Sequence, residues 1–273
     1  MILAQVVLYW TAISIYVISS VAFILSLKFD YPKRFNWYGT LATYCGLVPH
    51  TVAILLRWYQ AGHGPYSQMY EVAASNTWLS IVAFLVIKWR YKKLEFLGSV
   101  VMPVSFLLLG LGVMDSKEIT TLPETFKTYW LIVHIVFAKL AYGSLVIGAG
   151  LAGFYLLKAK RAPDWSKKLP AVETLDELSY KLLTVGFMFN TIMIAAGAFW
   201  AKNAWGSYWS WNPIETWSLI AWLVYGIYLH LRRTYGWKGT KAAWLAIFTM
   251  FVMLFAFFGV AYVYPSIHEI YLK

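Results

Sequence analysis

The 273-residue chain is 60% hydrophobic, 19% aromatic and only 13% charged, and its 23 lysines and arginines outnumber 12 acidic residues for a net charge of +11. A soluble domain carries about a quarter charged residues, so this composition excludes one, and apolar stretches of membrane-spanning length recur from end to end. The single cysteine, Cys45, excludes a disulfide framework, a CxxC redox pair and a zinc-finger spacing; inside an apolar run it reads as a small core residue.

Taken in chain order, the apolar runs predict eight spans at 5–26, 37–57, 70–88, 97–114, 129–157, 180–200, 214–232 and 243–264. The first lacks a basic leader segment and a small-residue cleavage site, and is expected to be a retained helix. The fifth is longer than a bilayer requires and is expected to tilt or project. It carries Gly143, Ser144, Gly148 and Gly153, small residues that let a neighbouring helix come close. The expected fold is all-α, a polytopic membrane helix bundle of about eight transmembrane helices forming one integral membrane domain over 1–273.

The charge distribution orients the bundle. Loops 27–36, 88–96, 158–181 and 231–242 hold 17 of the 23 basic residues, together with Asp30, Glu95, Asp164, Glu173, Asp176 and Glu177, and so carry the whole net charge of +11. The positive-inside rule makes that side cytoplasmic. Both termini and the loop 201–214 are then expected to be extracytoplasmic. The excess of positive charge is a topology signal, with no nucleic acid implied.

Loop 201–214 contains the densest aromatic stretch, "WGSYWSWNPIETW". One reading is an interfacial belt of tryptophan and tyrosine. Asn212, Pro213 and Glu215 also suit the N-cap, first-turn and capping-box positions of the seventh span. The other reading is a hydrophobic shelf of Trp205, Tyr208, Trp209 and Trp211 for a flat ligand, apolar on its face and polar at its edge. Heme has that shape, with Lys202 near enough in sequence to meet a propionate.

The five histidines bear on this choice, because heme iron takes axial imidazoles and ionisable groups in a membrane are costly. His134 falls just inside the outer end of span five, and His268 just beyond the outer end of span eight. Both are on the side of the tryptophan stretch and could ligate one iron above the shelf, or serve structural and solvated roles. His230, near the inner end of span seven, is either a helix C-terminal cation or a ligand of a second heme with its partner histidine elsewhere. His50 reads as a core residue or a ligand, and His63 as a solvated loop residue.

The stretch "WGSYWSWNPIETWSLIAWLVYGIYLHLR" resembles the WWD signature of the heme-handling protein superfamily, and its continuation resembles the CcsA/ResC family of cytochrome c assembly proteins. "GHGPYSQMYE" resembles that family's Gly-x-x-Pro-x-x-x-x-Tyr-Glu loop, and "WLIVHIVFAKLAYGS" its external-histidine helix. The resemblance covers essentially the whole chain. It implies that His134 and His268 hold heme outside the membrane and that His230 is the transmembrane histidine. Trp205, Gly206, Trp209, Trp211 and Glu215 fall on the signature, with Tyr208 and Asn212 inside it. Asn212 stands where the family has Asp, and Ile214 where it has Lys.

The function implied is that of the heme-handling subunit of a System II cytochrome c synthase in the bacterial cytoplasmic membrane. Heme b, the transported substrate, is carried to the outer face and presented to the CxxCH motif of apocytochrome c. The resemblance implies a CcsB/ResB-type membrane partner that supplies a second transmembrane histidine; no residue is singled out as catalytic. Rival readings are a heme-binding or export protein, a HemX-like regulator without lyase activity, and a b-type electron-transfer subunit. The tryptophan signature argues against the regulator. The lone deep His230 argues against the electron carrier, which needs histidine pairs at matched depths. Reporter fusions after Lys241 and Lys273 test the orientation: the first is expected to be cytoplasmic and the second extracytoplasmic, and a cytoplasmic C-terminus would overturn it.

Overall fold

The computed structural model describes residues 1–29, 32–119, 122–161 and 164–264. Eight of its helices are long and apolar enough to cross a membrane, and no strand occurs among the described residues. They are built on α1 (Ile2–Lys28), α2 (Pro32–Ala61), α3 (Met69–Arg90), α4 (Gly98–Met114), α5 (Tyr129–Arg161), α6 (Val172–Trp205), α7 (Pro213–Arg233) and α8 (Thr240–Leu254), the fourth span starting at Lys92 and the eighth running on to Phe257. A 3-10 turn, Lys92–Leu97, leads into α4. A π-helical turn, Phe255–Gly259, carries α8 on into the short helix α9 (Val260–Val263). The predicted spans all appear. α6 starts eight residues before its span, because its first two turns are polar yet helical, with Glu177 and Lys181 paired at i,i+4.

The chain divides into two compact units, one holding α1–α4 with Asp164–Leu169, the other holding α5–α9. In the first, α1 lies along α2, and both α1 and α3 pack on α4. Lipid gives these helices no hydrophobic reason to associate, so close packing and hydrogen bonds must hold them. Phe23 shows how. Its ring lies where side chains on Gly39 and Gly98 would have to be, at 3.0 Å and 2.6 Å from their would-be Cβ positions, and meets Phe84 edge-on at 5.5 Å. Ser19 donates to the Gly39 carbonyl at 2.8 Å and shares a hydrogen bond with Thr43.

His50 belongs to this packing. Its Nε2–H donates to the Ala74 carbonyl at 3.1 Å, and the Tyr16 hydroxyl donates to Nδ1 at 3.0 Å. Both nitrogens are used, so His50 is a core histidine. Two expectations need correcting. His63 is buried, not solvated: its Nδ1–H donates to the Gly64 carbonyl at 2.8 Å, and its ring lies 5.6 Å from that of Tyr66. Cys45 is exposed, not in the core, because α2 turns that apolar position outward.

A buried ion pair closes this unit at the α2–α3 connection. Arg57 and Glu71 are each 1% exposed and meet at 2.8 Å. The same guanidinium donates to Gln68 Oε1 at 2.6 Å and to the Lys117 and Glu118 carbonyls at 2.8 and 3.0 Å. Glu71 Oε2 accepts the Ser67 backbone N–H at 3.0 Å. Every strong group on the pair thus has a partner, which a charge buried away from water requires. The loop "GHGPYSQMYE" is folded around this carboxylate.

In the second unit α5 runs along α6, and α8 packs on α5 and α7. Gly148 lets Leu183 approach its would-be Cβ position to 3.1 Å, and its carbonyl accepts from Ser179 Oγ at 2.8 Å. Gly153 faces open space, so it is not one of the close-approach positions. Asp176 ties the other end of the unit: both carboxylate oxygens accept from Arg232, at 2.9 and 2.8 Å, and one accepts the Gly239 N–H at 3.1 Å. At α8's far end the Phe255 ring covers Gly259 and meets Trp217 of α7 at 4.6 Å.

Arg57→Ala is expected to lower stability by about 3–5 kcal/mol, because it leaves Glu71 charged and buried. The double variant Arg57→Ala/Glu71→Ala should lose less than the two single losses together. Thermal unfolding in detergent checks both; additive losses would show that the pair is not coupled.

Candidate functional site: the tryptophan loop and His134

The tryptophan loop is held between two helix ends of the second unit, each terminated by its own residues. α6 stops at Gly206, whose φ of 81° is the left-handed conformation a glycine adopts freely, and the Gly206 N–H closes the helix on the Lys202 carbonyl. α7 starts at Asn212, whose Oδ1 accepts the Glu215 N–H at 3.0 Å, with Pro213 in the first turn. Glu215 does reach back, but past the N-cap: its carboxylate accepts the Ser210 backbone N–H at 2.7 Å and the Ser210 hydroxyl at 3.2 Å. Asn212 Nδ2 donates to that hydroxyl at 3.1 Å. Between these anchors Trp211 has a φ of 58°, an uncommon conformation for a bulky residue. It leaves the indole 69% exposed.

The aromatic rings do not form one continuous shelf. Trp209 and Trp211 meet edge-on at 5.9 Å. Tyr208 lies edge-on to Phe199, which stacks on Trp130 at 4.5 Å, and Lys202 Nζ sits 5.5 Å from the Tyr208 ring centre. Trp205 packs against Trp200 at 5.1 Å, and Trp200 against Phe126 at 5.6 Å. Trp200 also donates its indole N–H to the Thr125 carbonyl at 2.8 Å. The sequence does not single out Trp130, Phe199 and Trp200, because they lie inside apolar spans, where aromatics are ordinary.

His134 joins the Trp200 group. Its ring centre is 6.3 Å from that of Trp200, and its Nδ1 is 2.8 Å from the Met193 carbonyl of α6. A carbonyl only accepts, so Nδ1 carries the proton and Nε2 holds a free lone pair. That is the tautomer a metal-ligating histidine takes when a carbonyl holds its other nitrogen. Among the described residues Nε2 has no hydrogen-bond partner.

His230 lies elsewhere. It is exposed on α7 about 26 Å along the helix from Pro213 by its rise. Thr234 Oγ1 lies 3.3 Å from its Nδ1, and Tyr235 packs edge-on to the ring. The structure does not bring His134 and His230 to one place. His268 lies outside the described residues.

The residues present fit a heme. The His134 imidazole keeps one nitrogen without a protein partner among the described residues, and its ring lies near Trp200, which packs on Trp205. The Trp209 indole N–H is buried without a protein acceptor among the described residues and can donate to a polar edge. No group of three or more histidine, cysteine or carboxylate side chains that could hold a metal ion alone occurs among the described residues.

Comparison with known proteins defines the class. The family model described as cytochrome C assembly protein matches residues 66–268, and the chain belongs to that family. Its relatives include proteins named cytochrome c biogenesis protein CcsA. The one from Guillardia theta is 32% identical over 92% of this chain and 91% of its own length. That from Prochlorococcus marinus (strain NATL1A) is 33% identical over 80% of each. That from Chlamydomonas reinhardtii is 36% identical over 79% of this chain, a match spanning 63% of the relative. Among solved structures, cytochrome c heme lyase CcmF shares the fold with a TM-score of 0.66 at 17% identity. The match covers 97% of this chain and about half, 52%, of that one. The chain is therefore a multi-pass membrane protein of cytochrome c maturation.

Asn212→Ala is expected to cost about 1 kcal/mol, because it removes the cap acceptor and the donor to Ser210. Asn212→Asp keeps the acceptor and should fall within a few tenths of a kcal/mol of the parent. Thermal unfolding followed by near-UV circular dichroism of the tryptophans separates the two; equal losses would show that the cap is not what holds the loop.

Proposed function

We propose that this chain is the heme-handling subunit of a System II cytochrome c synthase, which binds heme b as substrate and presents it to apocytochrome c. The carrying observation is the fixed tautomer of His134: Nδ1–H is held by the Met193 carbonyl, Nε2 is left open, and the ring lies near Trp200, which packs on Trp205. In this reading His134 supplies one axial nitrogen and His268 the other. Trp205, Trp209 and Trp211 pack on the porphyrin, with Gly206, Tyr208, Asn212 and Glu215 fixing their loop. Lys202 and the Trp209 N–H face its polar edge.

The reaction is addition of each cysteine S–H of a CxxCH motif across a heme vinyl group, sulfur bonding to one carbon and the hydrogen ending on the other. The chain contributes orientation and exclusion of water, and both thiols come from the CxxCH motif. The exposed His230 suits a ligand completed by a histidine of a second membrane protein of the CcsB/ResB type. In this reading the tryptophan loop and both termini lie on the extracytoplasmic face of the bacterial cytoplasmic membrane.

The test is heme per purified chain, by pyridine hemochrome, beside a cytochrome c maturation assay. His134→Gly should lose heme and maturation, and added imidazole should restore part of both. Trp209→Ala, which removes packing worth about 2–4 kcal/mol, should lower heme occupancy without changing expression. Co-expression with the partner should raise the heme content, and His230→Ala should lose that increment. Wild-type heme and maturation in His134→Gly would sink the proposal.

A further inference from the structure

His134 reaches the Met193 carbonyl only because of what α6 lacks at position 197. A Cβ on Gly197 would lie 2.8 Å from His134 Nδ1, 3.1 Å from its Cε1 and 3.8 Å from its Cγ. These are the three nearest atoms, and the first distance is shorter than real Cβ contacts allow. Gly197 has no left-handed φ, so its backbone needs no glycine. Glycine in a helix interior is less favourable than alanine. The residue is thus helix-destabilising, conformationally unnecessary and filled over by one imidazole.

The hydrogen-bond arithmetic points the same way. In an α-helix the Met193 carbonyl already accepts the Gly197 N–H, four residues on. His134 Nδ1–H is a second donor to that oxygen, at 2.8 Å, and a carbonyl has two lone pairs to accept both. To use the second lone pair the ring must lie against the helix surface at the next turn, over residue 197. A methyl group there would push the ring outward, lengthen the bond from Nδ1 and shift the imidazole, with its Nε2, relative to the Trp200 ring.

We infer that Gly197 is a positioning residue for His134, a cradle in α6 that fixes the tautomer and direction of the imidazole that meets the heme iron. The inference rests on the heme reading above and adds a residue with no functional group of its own. It acts only through His134, so its effect should disappear when the imidazole is absent. Partners that orient a metal-ligating histidine typically change metal affinity about 10–100-fold when altered, and a comparable loss is expected here.

The experiment titrates ferric heme b into the full-length chain in nanodiscs and follows the Soret band, with thermal unfolding measured in parallel. Gly197→Ala should weaken heme binding about 10–100-fold and shift the Soret band toward that of His134→Gly, with added imidazole recovering the parent spectrum. Gly153→Ala is the control, since that helical glycine faces open space; it should bind heme as the parent does. In a His134→Gly background Gly197→Ala should have no further effect. If His134→Gly binds heme as the parent does, the heme reading fails. If His134→Gly weakens binding but Gly197→Ala matches Gly153→Ala, the heme reading stands and the positioning role is overturned. Should Gly197→Ala fail to accumulate, Gly197→Ala/His134→Ala should restore it by vacating the space the methyl group needs. Failure of that double variant to accumulate would also overturn the inference, because Gly197 would then serve something other than the imidazole.

Discussion

The close approach of α5 to α6 is the constraint on which the second unit depends. Two membrane helices gain little by burying apolar faces from one another, because lipid is as apolar as they are. They gain by contact distance and by hydrogen bonds that lipid cannot offer. Along this pair both come from the same positions: Ser179 reaches the Gly148 carbonyl near one end, and His134 reaches the Met193 carbonyl near the other. The interactions that fasten the helices also orient the open nitrogen of His134. Helix packing and the orientation of the His134 ring are thus parts of one seam, and a change that loosens the seam moves that nitrogen.

The first unit uses a different device. Arg57 gathers Glu71, Gln68 and the carbonyls of Lys117 and Glu118 around one guanidinium. Replacing the water a surface arginine would have, it joins the start of α3 to the segment after α4. A planar group with five donors suits this task better than lysine, because its donors are fixed in direction. The loop that resembles the family's Gly-x-x-Pro-x-x-x-x-Tyr-Glu pattern is held from inside by its final glutamate.

What was legible in the sequence follows from the range of each force. The spans were legible because hydropathy is a sum over about twenty neighbours. The cap at Asn212 was legible because it is made within four residues. The polar turns opening α6 were hidden because a hydropathy window measures lipid compatibility and not helicity. The Arg57–Glu71 pair was hidden because it joins two helices, and the burial of His63 because that loop folds over the pair's carboxylate. The tryptophan stretch was visible, yet its division into separate ring groups was not, since those groups are completed by Trp200, Phe199 and Trp130 from apolar spans. Gly197 gave no signal at all: a glycine in an apolar helix reads as a packing residue, and only its neighbour across the interface says which side chain it makes room for.

The π-helical turn at Phe255–Gly259 has a consequence for how the last membrane helix is mapped. A turn closed by i→i+5 bonds takes one residue more than an α-turn, so the faces of α8 and α9 are out of phase by about 100°, one residue's rotation. A helical wheel drawn without a break from Thr240 to Val263 would therefore assign the positions after Gly259 to the wrong side. Cross-linking or lipid-accessibility scans of this helix need two wheels, one ending at Leu254 and one beginning at Val260, and a cysteine scan run across the turn should show its periodicity slip by one position there.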